Sequence, residues 1–329
     1  MRFRRLCAAT LLATGTLLAP QPASAAVSCQ DVTYPVRIQL APLVTSLETM
    51  AGRLCVPTGA TTIQVLIPGG TYDRTYWDIG FEPETRSFTR SQNAAGFATL
   101  ALDRLGTGQS SKPLSTSVTA STEASAVHQV IQAVKSQFPE VVVGGHSIGS
   151  AMALIEAGTY RDVNGVLVTG FTHKMNDITV LPVMANMIPA GLDAGYLTTM
   201  PDTRYNSFHA PGPLVEGAIA YDESTKDVFA ATEAVDTILL NNVIIPISRN
   251  INVPVLVVLG EDHHFCSSGI PLMGSDCSSP AALKADESPF YPSAPTLDTY
   301  LLSGYGHSIN YAPNAPDYQA VVATWAQRL

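Results

Sequence analysis

The chain has 329 residues, 46% of them hydrophobic, and carries 27 acidic against 18 basic side chains for a formal charge of −9. That excess of acid argues against nucleic acid or anionic lipid as a partner, since either calls for a basic patch. The length suits one large domain with an insertion and a substantial core rather than a small stapled module.

Arg2, Arg4 and Arg5 precede the apolar segment Leu6 to Ala19, and Ala23-Ser24-Ala25 supplies small residues for cleavage before Ala26. This pattern predicts a secretory signal peptide over 1–25 and an exported chain over 26–329. The apolar run is too short for the roughly 20 residues that span a bilayer, and no later segment qualifies, so no stable membrane insertion is expected. The flanks of Arg4-Arg5 match a twin-arginine signal poorly, which favours the general secretory route. Cys7 leaves with the signal. Export favours disulfides among the remaining four cysteines, and the simplest of three connectivities joins Cys29 with Cys55 and Cys266 with Cys277.

Two modest strands are predicted around Val36 to Leu40 and Gly52 to Val56, then a strong one over Thr62 to Ile67 that ends at Pro68-Gly69-Gly70. Phe97 to Leu102 is the next strand. Apolar residues at helical spacing predict a helix over Ser121 to Phe138, capped by Ser121 or Thr122. Strand Glu140 to Gly144, helix Ser150 to Tyr160 and strand Asn164 to Thr169 follow. This alternation argues for a parallel sheet covered on both faces. It breaks between about residues 172 and 252, a stretch rich in Pro, Met and Asn with helical segments such as Asp227 to Leu240 and no comparable strand. An insertion there would sit over the carboxyl ends of the strands, where such sheets bind ligands. Strands Val253 to Leu259 and Thr296 to Leu302 and a helix from Pro316 to Gln327 complete the chain.

Gly145-His146-Ser147-Ile148-Gly149 lies between a strand and a helix. In a nucleophile elbow the serine occupies a turn so tight that its flanks must be glycine or nearly so, and Gly145 and Gly149 meet that demand. The turn lifts the Ser147 hydroxyl above the sheet and leaves the Ile148 amide, at a helix N-terminus, free to stabilise an oxyanion. Gly70 and Thr71, in the turn after the strongest early strand, are candidates for the second donor. His307, after the last strand, is the candidate base. Gly260-Glu261-Asp262 follows the penultimate strand, and Asp262 is the candidate acid that orients the imidazole. Glu261 would point the other way in extended chain, and Asp177 is a reserve. His146 suits packing or substrate contact, and His128, His173 and His209 have no assigned catalytic role. Asp262, His263, His264 and Cys266 resemble a metal cluster in residue type alone, because successive side chains diverge and an exported cysteine favours a disulfide. Asp103 to Ser110 is glycine-rich but lacks the full dinucleotide-binding spacing.

The elbow, the segment Asp103-Arg104-Leu105-Gly106-Thr107-Gly108-Gln109-Ser110 with Pro113, and Gly306-His307 together resemble the landmarks of the α/β-hydrolase superfamily, in that family's order. The likeness runs from about Val36 to the C-terminus. It implies a mostly parallel eight-stranded sheet with helices on both faces, a cap after the sixth strand, and Ser147, His307 and an acid after the seventh strand as a triad. Two departures stand out: Pro68-Gly69 replaces the His-Gly of many oxyanion loops, and the family's usual acid slot holds His263, one residue beyond Asp262.

The implied activity is hydrolysis of carboxylic esters through an acyl-enzyme on Ser147, with no cofactor or metal. The expected substrate is a small molecule, an apolar ester or acyl compound, and Ile178, Val180, Leu181, Val183, Met184, Met187, Ile188 and Leu192 make an apolar face in the insertion that could line an acyl site. The same residues could instead dock the insertion on the core. Thioester, lactone or amide hydrolysis uses the same machinery. Hydroxynitrile lyase and cofactor-free perhydrolase share the fold, and a non-catalytic binding module is the remaining alternative.

Overall fold

The computed structural model describes residues 26–41, 43–243, 246–262, 264–266 and 273–329. The expected signal peptide and His263 therefore lie outside the described residues.

An eight-stranded sheet runs through the molecule. Its strands in chain order are β1 (Val27–Ala41), β2 (Val44–Pro57), β3 (Thr62–Ile67), β4 (Ala98–Leu102), β5 (Glu140–His146) and β6 (Gly165–Thr169), then β10 (Val255–Leu259) and β11 (Leu297–Leu301). The spatial order is β1-β2-β4-β3-β5-β6-β10-β11. β2 pairs antiparallel with both β1 and β4, and all other pairings are parallel. From β3 the chain steps out to β4 and then returns past β3 to β5. The carboxyl ends of β3 and β5 thus flank a topological switch point, where open α/β sheets bind ligands.

Strand residues alternate between two apolar layers. Val141 and Val143, Val166 and Val168, and Val255 and Val257 face the layer covered by α3 (Ala120–Val134) and α4 (Ile148–Tyr160). Val142, Leu167 and Leu256 face the opposite layer, under α1 (Pro83–Arg86), α2 (Phe88–Ala94) and α9 (Ala315–Ala326). Burial on both faces is why these strands read as continuous apolar runs, and helices do cover both faces as expected.

Between β6 and β10 the chain forms α5 (Asp177–Ala185), β7 (Met187–Pro189), β8 (Tyr196–Thr199), α6 (Glu216–Thr225), β9 (Phe229–Ala230) and α7 (Ala231–Ile238). The last helices are α8 (Pro280–Glu287) and α9. The three short strands form an antiparallel sheet of their own, none of them comparable in length with the strands of the main sheet. β9 also takes the start of the helix expected from Asp227.

The first hairpin is much longer than the two modest strands expected. Among the residues of β1 whose burial is described, only Val36 and Ile38 are buried, so most of its length lacks an apolar signal and is held by the ladder to β2. Cys29 stands opposite Cys55 in that ladder, and the two are disulfide-bonded. Cys266 and Cys277 form the second disulfide. The cap of α3 is Thr119, whose side chain accepts the Thr122 N–H, rather than Ser121 or Thr122. No helix among the described residues is long and apolar enough to cross a membrane.

Candidate active site

Ser147 is the single residue between β5 and α4, and it holds φ 54° and ψ −126°, a conformation costly for a residue with a side chain. Its surroundings explain the glycines. A Cβ on Gly145 would stand 2.2 Å from the Gly149 carbonyl, and one on Gly149 would stand 2.5 Å from the Ile67 and Pro68 carbonyl oxygens. The Ser147 N–H donates to Thr169 O at 2.8 Å, and the Ser150 hydroxyl donates to the same carbonyl at 2.9 Å. The strained turn is thus fastened to β6.

Asp262 follows β10 and is fully buried. Its Oδ2 accepts from His307 Nδ1 at 2.6 Å, and its Oδ1 accepts the His264 N–H at 2.9 Å. Glu261 is exposed and turns away, accepting the Gly304 N–H at 2.8 Å. Asp177 is exposed in the first turn of α5. Burial alone would raise the Asp262 carboxyl, but His307 and His264 together outweigh it and hold it well below the usual range. His307 is lowered, chiefly by burial, against a partial upward pull from Asp262. The pair therefore rests as a carboxylate beside a neutral imidazole, with Nδ1 occupied and Nε2 left as the basic atom. His146 stacks on Tyr76 with ring centroids 4.3 Å apart, and burial, then the nearby His307, holds it neutral.

Ser147, Ile148, Gly70 and His307 line one cavity of about 190 Å³, together with Phe171, Phe208, Phe229 and Phe265. Of the apolar face expected in the insertion, Val180, Val183, Met184 and Met187 also line it, whereas Ile178, Leu181 and Leu192 are exposed. Thr71 is not among the lining residues. Its side chain is buried and its Oγ1 accepts from Arg204 at 2.7 Å.

Residues 64–323 match the profile of the Alpha/beta hydrolase family. The chain belongs to this family. No curated protein matches the sequence. Among solved structures, it is similar to a thermophilic esterase from Thermogutta terrifontis at 15% identity and TM-score 0.55, covering 90% of this chain and 98% of that one. It is also similar to carboxylesterase CesB (YbfK) from Bacillus subtilis at 14% identity and TM-score 0.55, covering 89% and 91%. A thioesterase domain from the curacin biosynthetic pathway aligns at 15% identity and TM-score 0.53, covering 89% and 99%. At these identities the likeness is one of fold.

This alpha/beta hydrolase also holds its site loops with residues that no local motif announces. Arg204 and Asp222 form a fully buried, two-point ion pair at 2.7 and 2.8 Å. Asp222 also accepts from His209 Nε2 at 2.6 Å, and His209 Nδ1 lies 2.6 Å from the Tyr305 hydroxyl. The Gly306 and Ser308 N–H groups, on either side of His307, donate to the His209 and Phe208 carbonyls. Arg104, within the glycine-rich segment, pairs with buried Glu233 and donates to Gly69 O at 3.2 Å. The β6–β10 stretch therefore grips both the turn after β3 and the loop that carries His307. The signal in sequence is only that of charged residues in apolar surroundings, with partners too distant to pair by inspection.

Proposed function

We propose that this chain is an exported serine hydrolase that cleaves carboxylic esters with apolar acyl groups, with Ser147 as nucleophile, His307 as base and Asp262 as the orienting acid. The observation that carries this reading is the 2.6 Å contact of His307 Nδ1 with Asp262 in a cavity shared with Ser147 on its strained turn. The two disulfides are compatible with an oxidising compartment. Residues from about 172 to 252 act as a cap that supplies part of the acyl site.

In this reading His307 Nε2 takes the proton of Ser147 as its Oγ attacks the acyl carbonyl. The tetrahedral oxyanion is held by the Ile148 N–H, at the start of α4, and by the Gly70 N–H. Asp262 stabilises the imidazolium, which returns the proton to the leaving alcohol. Water, deprotonated by the same ring, then attacks the acyl-enzyme, and the ring returns that proton to Ser147 Oγ as the acid is released. Apolar walls around the ester exclude bulk water and favour a hydrocarbon acyl chain over a charged one.

A fluorophosphonate probe and a chain-length series of nitrophenyl esters test this directly. The wild-type protein is expected to be labelled at Ser147 and to hydrolyse esters, and Ser147→Ala to lose at least about 10⁴-fold in rate. Labelling elsewhere, or equal rates for the two proteins, would overturn the assignment.

A further inference from the structure

A cluster of titratable side chains remote from the cavity joins α3 to the end of α4. His128 on α3 places Nδ1 3.4 Å from Glu156 Oε1 on α4 and 3.1 Å from Asp162 Oδ2 in the turn beyond it. Gln132, one turn further along α3, donates through its side-chain amide to the same Asp162 oxygen. The His128 ring lies flat on Tyr160, centroids 3.7 Å apart, which fixes its plane. Lys135 Nζ is 4.0 Å from Asp162 Oδ2 and donates to the Asp162 carbonyl.

Two features of this cluster point to a ligand. Glu156 is fully buried, and no N–H or hydroxyl donates to its Oε2 or to Asp162 Oδ1, so the two carboxyls face each other and must share either a proton or a cation. Buried carboxylate oxygens are ordinarily satisfied by donors or by a metal ion. The spacing also fits an ion. A tetrahedral zinc bonded at about 2.0–2.1 Å sets its ligand atoms about 3.3 Å apart, close to the two contacts that His128 makes here. One ligand atom from each of the three residues lies within 4.8 Å of the others. His128 is 24% exposed, which gives an entry path.

We propose that His128, Glu156 and Asp162 form a site for one divalent ion of the zinc class, completed by water. One imidazole with two carboxylates suits such a borderline ion. Its role is structural, because Glu156 lies nine residues along α4 from Ser147, or about 13 Å of helix. Bound there, the ion would staple α3 to the far end of α4 and leave the cavity untouched.

The test is zinc chloride titrated into the chelator-treated chain, followed by calorimetry and thermal unfolding. One zinc per chain is expected, with the unfolding midpoint raised by roughly 5 °C at a hundredfold excess over Kd. His128→Ala and Glu156→Gln, the second nearly isosteric, are each expected to bind at least tenfold more weakly, and zinc is expected to raise neither variant's unfolding midpoint above its own zinc-free value. Ester hydrolysis should not change on adding zinc. Two results would overturn the site: no zinc binding by the wild type, or undiminished binding by His128→Ala together with lost hydrolysis, as an ion held by Asp262, His264 and His307 would produce. Binding and unfolding need no substrate, so they decide this site whatever becomes of the proposed function.

Discussion

Arg204 meets Thr71 across 133 residues of sequence, donating from Nη1 to Oγ1 at 2.7 Å while the rest of its guanidinium is bound by Asp222. The pair pushes the Asp222 carboxyl down to about 2: burial acts against the shift, and the Arg204 charge outweighs it. Arg204→Met would leave Asp222 buried with only His209 and the Tyr72 hydroxyl beside it. Breaking a buried pair in this way costs about 3–5 kcal/mol, so the unfolding midpoint should fall by roughly 10 °C. Because the same network holds Thr71 and the loop of His307, kcat should fall more than KM rises. A variant that melts with the wild type and keeps its kcat would show that the pair contributes neither effect.

That contact also marks where sequence reading stops. The elbow is legible because its demand is local: Gly145 and Gly149 are excluded from bearing side chains by atoms of the same turn and the adjacent strand end. β3, β5, β6 and β10 are legible because burial on both faces leaves an unbroken apolar run. β7, β8 and β9 are two to four residues long, too short for any period to show. Most of β1 is polar and exists through its pairing with β2. Arg204, Asp222 and His209 announce nothing locally, since each takes its meaning from partners that only the folded chain supplies.

Asp262 and Glu261 are adjacent carboxylates, distinguished in the sequence only by the opposite sides to which an extended chain would direct them. The structure brings Asp262 to His307 and turns Glu261 toward the Gly304 N–H. Asp262→Asn is expected to lower kcat by about 10³–10⁴-fold with little change in KM, because the amide cannot hold the imidazole in its productive tautomer or stabilise the imidazolium. Glu261→Gln should stay within roughly twofold of wild type, since rim hydrogen bonds of exposed groups are worth little. Steady-state kinetics on one nitrophenyl ester checks both, and the reverse ranking would move the acid to Glu261.

The pH profile tests the state of His307 itself. The proposed mechanism needs this ring neutral, so kcat/KM should rise with pH as the proton leaves it and then level off. Burial favours the neutral form and lowers the pKa, and the Asp262 carboxylate opposes this without cancelling it. The sign is therefore fixed: the acid limb should fall below the ordinary imidazole value of about 6.5, and the enzyme should already be more than half active at that pH. Asp262 makes a second contribution of known direction. Its own carboxyl is held well below the usual range by His307 and His264 despite burial, so it stays ionised across the limb and adds no step of its own. Removing it in Asp262→Asn takes away the one attraction that favours the imidazolium, and the limb should move further toward acid as the rate falls. A limb above about 7 in the wild type, or one that moves toward base in the variant, would mean that a different group controls the reaction.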